Sequence, residues 1–150
     1  MGPQVRISEP HRQFFESQKV ARLATVDLSG NPHVVPVCFA LSLDHCFVPL
    51  DAKPKTVRPF QLKRVQNILK HPSVCLIADQ YSDDWSKLGF VLIRGSASIL
   101  EHGPSHIEAI KLLKNRYTQY LTMGIEEFPI ISIEISSVSS WGNLTPGSYE

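Results

Sequence analysis

The stretch RLATVDLSGNPHVVPVCFAL, residues 22–41, constrains the chain more than any other. Residues 20–26 are short, apolar and rich in β-branched side chains. Leu28, Ser29, Gly30 and Asn31 then supply residues that tolerate a positive φ, so the chain reverses. The reading is strand, turn, strand. The returning segment, 32–43, carries almost no polar residue and is expected to be covered on both faces. Pro36 lies inside it and has no N–H to give to a ladder, so the strand is either bulged there or at a sheet edge. Either arrangement leaves local backbone groups to meet a ligand or to be covered by a loop, and the sequence leaves both open.

The rest of the chain continues the pattern. Further strands are expected over 46–50, 73–79, 90–100 and 129–138, with Gly95 marking a bend inside the fifth. A short opening helix has Ser8 as its cap and Phe14 and Phe15 as its apolar contacts. A second runs over 58–70 with Pro59 in its first turn, and a third over 104–117 buries Ile107, Ile110, Leu112 and Leu113. Residues 139–143 are read as a tail that ends the ordered chain. Six strands joined mostly by turns, with about three helices, point to a mainly β (α+β) fold, an antiparallel barrel with flanking helices, in a single domain over 1–150. No glycine-rich nucleotide loop is present in the sequence.

Between the third strand and the second helix lies DAKPKT, residues 51–56. A strand end, two lysines, a threonine and a helix start meet there. Ammonium groups, a hydroxyl and free backbone N–H groups together favour a phosphate by charge and hydrogen bonding. A solvated basic loop is the competing reading. The helix that follows turns Lys63, Arg64, Asn67 and Lys70 to its polar side.

Composition narrows the function. A formal net charge of +1 over 150 residues argues against a general nucleic-acid binder. No apolar run approaches the roughly 18 residues of a membrane span, and the first residues lack the apolar core of a signal peptide, so a cytoplasmic chain is expected. Cys38, Cys46 and Cys75 are odd in number and lack CxxC spacing, which fits buried thiols in a reducing compartment. His102 and His106 have helical metal-ligand spacing, but Gly103 and Pro104 intervene and no third ligand is evident, so both read as solvated. No metal site is expected. Trp85, in a polar loop, is either an interface or stacking residue or a ring folded back on its own sheet.

These segments, in this order, resemble the pyridoxamine-5′-phosphate-oxidase-like split barrels, the flavin-reductase-like group that binds FMN or the deazaflavin coenzyme F-420. The resemblance rests on VARLATVDLSGNPHVVPVCFAL, on DAKPKT ahead of RVQNILKHPSVCLIAD, on the DDW loop, and on VLIRGSASIL followed by a helix and IISIEISSVSSW. The KPKT and RVQNI segments look most like the deazaflavin-dependent branch. The resemblance implies an FMN-binding split barrel that forms a homodimer with cofactor sites at the interface. By position, Lys53, Lys55 and Thr56 hold the phosphate; Val35, Pro36, Val37 and Cys38 line the ring; Arg64 and Asn67 lie nearby; and Trp85 or Trp141 covers the ring from the second subunit. It implies hydride transfer to or from a small organic substrate, with no side chain required as a strong acid or base. The ending WGNLTPGSYE, in place of an arginine-bearing substrate segment, argues against pyridoxamine phosphate oxidation itself. Two alternatives stand beside this: a non-catalytic carrier or sensor of flavin or haem, and a structural dimer with a solvated basic loop.

Overall fold

The structure, a computed structural model, describes residues 5–50 and 58–145. Among the described residues seven antiparallel strands form one sheet in the order β2-β1-β5-β6-β7-β4-β3. In chain order they are β1 (Ala21–Val26), β2 (Pro32–Val37), β3 (Ala40–Leu41), β4 (His45–Pro49), β5 (Ser73–Gln80), β6 (Gly89–Leu100) and β7 (Ile130–Gly142). Three α-helices accompany them: α1 (Glu9–Ser17), α2 (Lys63–Lys70) and α3 (Pro104–Arg116). The mainly β, split-barrel reading holds, with seven strands in place of six.

The added strand comes from residues 32–43, which are two strands and not one. The chain leaves the ladder at Cys38 and Phe39, so that β2 lies at one end of the strand order and β3 at the other. Phe39 gives its backbone N–H to the Tyr117 hydroxyl and not to a neighbouring strand. Coverage on both faces holds only for the second part: Phe39, Ala40 and Leu41 are buried, whereas Val34 is 60% exposed and Pro36 is also exposed. Pro36 sits where its missing N–H costs nothing, on a strand whose partner among the described residues is β1 alone, with Pro36 opposite Arg22.

The β1–β2 reversal is built around Asp27. Its carboxylate accepts the backbone N–H groups of Ser29 and Asn31, both at 2.9 Å, and the Asn31 amide at 3.1 Å. Gly30 takes a φ of +84°, which a side chain would resist. Those hydrogen bonds, that from the Asn31 N–H first, hold the Asp27 carboxyl below its ordinary pKa.

β6 and β7 are the long strands, and they bend together. Arg94 faces Ser137 while Gly95 faces Ile135, so Ser136 is the extra residue of a bulge. A Cβ on Gly95 would lie 2.3 Å from the Glu134 carbonyl oxygen, which is why the bend takes glycine. One apolar core fills the barrel interior with Leu23, Leu76, Ile93, Val48 and Ile133, closed by Phe14 and Phe15 of α1 and by Val65 and Ile68 of α2. A second lies beneath α3, where Leu113, Tyr117 and Tyr120 meet Phe47 and Ile130. β4 is therefore buried on both faces, its alternate residues entering different cores.

Several local expectations are corrected. The helix over 58–70 is a 3-10 helix, Pro59–Gln61, followed by α2, because Leu62 between them is extended at ψ 138°. Residues 139–142 are no tail: β7 continues through them on the backbone ladder of β6. Ser8 precedes α1 without capping it, and its hydroxyl lies 3.0 Å from His11 Nδ1. Ile107 on α3 is 68% exposed, outside the buried stripe. His106 is buried and bonds the Phe128 carbonyl through Nε2 at 2.8 Å, so it fastens α3 to the start of β7, while His102 is exposed. No helix among the described residues is long and apolar enough to cross a membrane.

Candidate functional site

The end of β2, the end of β4 and the first turn of α2 converge on one cleft of about 170 Å³. Pro36, Val37 and Cys38 form one wall and Pro49 another. Arg64 supplies a cation, Tyr120 an aromatic ring, and Val20 closes the space. Because β2 is an edge strand, alternate residues turn their N–H and C=O groups away from β1, toward whatever lies beyond the edge. The cleft thus combines apolar walls with a guanidinium, which suits a flat ligand carrying an anionic group.

The structure brings together Pro36, Val37, Cys38 and Arg64 of the residues that the sequence singled out. Val35 does not line the cleft; it pairs with Leu23 and packs against the barrel core. Asn67 is only 2% exposed and gives its amide to the Thr25 hydroxyl at 2.9 Å, a bond that ties α2 to β1. Lys53, Lys55 and Thr56 lie outside the described residues.

Trp85 and Trp141 stand away from the cleft lining and are 73% and 56% exposed. Trp85 is held out on an ordered turn. The Asp84 carboxylate accepts the Ser86 N–H at 3.1 Å and its hydroxyl at 2.7 Å, and Gln80 gives its amide to the Lys87 carbonyl at 2.7 Å. Trp141 lies on β7 opposite Phe90, with the rings stacked at 6.2 Å.

Directly paired residues share a face of the sheet, so the register defines its outer surface. Pro36, Arg22, Ile77 and Leu92 form one row, Val34, Ala24, Cys75 and Arg94 a second, and Asp79, Phe90 and Trp141 a third. All are half-buried or exposed, and Arg22 pairs with Asp79 at 3.0 Å across the face. The face therefore mixes apolar residues with the charges of Arg22, Asp79 and Arg94. The three thiols differ accordingly. Cys38 is half-buried in the cleft wall and Cys75 half-buried on this outer face, whereas burial of Cys46 in the core pushes its pKa up to about 12.

Val20, Pro49 and Tyr120 had no signal in the sequence. Each comes from a separate segment, and they meet only when the barrel closes. Tyr120 lies in a 3-10 helix, Thr118–Thr122, its ring edge-on to Tyr117 at 5.5 Å.

Seven antiparallel strands with two long bent ones, an end closed by α2 and a cleft at the open edge define a split β-barrel. The chain belongs to the pyridoxamine 5′-phosphate oxidase family, whose sequence profile matches residues 7–142. No curated protein matches the chain in sequence. Solved structures with the same fold include HutZ, the heme storage protein of Vibrio cholerae, at 16% identity and a TM-score of 0.69, over 92% of this chain and 95% of that one. A heme binding protein from Mycobacterium smegmatis matches at 17% identity and 0.70, over 93% of this chain and 56% of that one. A conserved hypothetical protein from Mycobacterium tuberculosis matches at 18% and 0.71, over 95% and 89%.

Proposed function

We propose that this chain binds a phosphate-bearing flavin or deazaflavin, FMN or coenzyme F-420, and acts as an oxidoreductase on a small organic substrate. The observation that carries the reading is the cleft itself, which sets Pro36, Val37 and Cys38 of an edge strand opposite Arg64. The apolar walls suit a planar ring and Arg64 suits the phosphate, for which we propose Lys53, Lys55 and Thr56 as further ligands. The bound cofactor supplies hydride transfer. The protein supplies orientation through β2, charge balance through Arg64 and exclusion of water through Val20, Val37 and Pro49.

A volume of about 170 Å³ is below the ~300–1,000 Å³ of a typical small-molecule pocket. We therefore assign the remaining enclosure to a second copy of the chain, docked through the outer face that carries Val34, Ile77, Leu92 and Trp141. In that homodimer Trp85 or Trp141 reaches the ring of the other subunit's cofactor. A haem carrier is the second reading. It is favoured by Cys38 and Tyr120 in the cleft wall, side-chain types that ligate haem iron, and by the haem proteins among the structural neighbours.

Titrating the purified protein separately with FMN, the deazaflavin and haem, followed by addition of a hydride donor, tests both. Saturable binding of FMN or the deazaflavin, one per chain, with reduction of the bound ring supports the oxidoreductase. Saturation by haem alone supports the carrier, and binding of none of the three contradicts both.

A further inference from the structure

We infer that Tyr117, which does not line the cleft, is the positioning residue that sets its shape; this rests on the cofactor-binding reading above. The phenol oxygen donates to the Lys19 carbonyl at 2.8 Å and accepts the Phe39 N–H at 3.1 Å. Lys19 immediately precedes Val20 and Phe39 immediately follows Cys38, so both bonds end one residue from a cleft wall. The ring of Tyr117 meets that of Tyr120, a third wall, edge-on at 5.5 Å. One side chain thereby fixes three walls that the sequence supplies from three separate segments.

The phenol is itself fixed. Arg116 gives it the Nε–H at 3.1 Å while its Nη1 and Nη2 groups bond the Glu16 and Gln18 carbonyls at 3.0 and 2.7 Å. The same guanidinium lies over the Phe39 ring, 4.4 Å from its centre. The hydroxyl's one proton and both lone pairs are thus in use. A phenol is protonated at neutral pH, and burial raises the Tyr117 pKa further from it. Phe39 sits between β2 and β3, where among the described residues no strand pairs with it. Without the hydroxyl this buried amide must find a new partner, and it takes the Cys38 backbone with it.

The test compares Tyr117→Phe with Ile93→Val, which removes a buried methyl group from the barrel core at a residue that does not line the cleft. Cofactor dissociation constants, the absorbance and circular dichroism of the bound isoalloxazine or deazaflavin ring, and melting temperatures are measured for both. Tyr117→Phe is expected to weaken binding by about tenfold, the worth of one lost hydrogen bond, and to change the bound ring's circular dichroism. Ile93→Val is expected to lower the melting temperature with affinity and bound spectrum unchanged. If Tyr117→Phe does not fold, Arg116→Lys, which removes the Nε–H bond to the phenol together with the bonds to the Glu16 and Gln18 carbonyls, takes its place with the same expected split. Wild-type affinity and spectrum in the variant, with cofactor bound by the unmodified protein, overturn the role of Tyr117 and leave the cofactor reading intact. An unmodified protein that binds neither FMN nor the deazaflavin overturns both.

Discussion

The Tyr117 hydroxyl accepts the Phe39 backbone N–H at 3.1 Å, at the point where the chain crosses from the β2 edge of the sheet to the β3 edge. Phe39 is fully buried, so this amide has no water to fall back on. Tyr117→Phe keeps the ring and its packing but strands the donor. The expected cost is about 1–3 kcal/mol of folding stability, read as a shift of the urea midpoint. An unchanged midpoint contradicts the assignment of this bond.

Asn67 and Thr25 form a buried pair between α2 and β1, with the amide donating to the hydroxyl at 2.9 Å. Thr25→Val removes the acceptor at nearly constant volume and leaves the amide unsatisfied, for a loss of about 1–3 kcal/mol. Removing both polar groups in Thr25→Val/Asn67→Leu recovers much of that loss. A double-mutant cycle by chemical denaturation checks this, and purely additive losses contradict it.

Gly95 has no room for a side chain. A Cβ there would stand 2.3 Å from the Glu134 carbonyl oxygen and 2.7 Å from Ile133 Cγ2, in the middle of the β6–β7 ladder. Gly95→Ala is expected to destabilise the fold by roughly 1–3 kcal/mol, since backbone must shift to admit it. Thermal unfolding checks this; an unshifted melting temperature contradicts the bulge as described.

Asp27 links stability to pH on the acid side. Its folded pKa lies below the ordinary 3.8, mainly through the Asn31 N–H, so its contribution is present above that value and is lost as the pH falls through the folded pKa. Asp27→Asn should be less stable than the unmodified protein near neutral pH, with the gap closing under acid. Denaturation across that range measures the gap, and a gap independent of pH contradicts the turn geometry.

What the sequence made legible is what is local. Pro36 declares its edge position because the missing N–H is its own. Gly30 and Gly95 mark the turn and the bend because only glycine meets their backbone demands. The break at Cys38 and Phe39 was hidden, since the acceptor that replaces the ladder is Tyr117, 78 residues away. Asn67 reads as an exposed polar residue until Thr25, 42 residues earlier in the chain, is placed beside it. The serine-rich end of β7 reads as a tail because its order comes from the backbone of β6 and not from apolar side chains. The wall of Pro36, Val37 and Cys38, and Arg64, were found from pattern and resemblance. Val20, Pro49 and Tyr120 depend on barrel closure, which no local pattern encodes.

Alkylation of Cys38 tests the central claim most directly, because this half-buried thiol stands in the cleft wall while Cys46 is sealed in the core with its pKa near 12. Mass spectrometry of the native protein should find Cys38 labelled and Cys46 unlabelled. Saturating FMN or deazaflavin should slow labelling of Cys38 by about tenfold or more, as a ring stacked on the wall excludes the reagent. Labelling of Cys38 at the same rate with and without a bound cofactor would place that cofactor elsewhere and contradict the account.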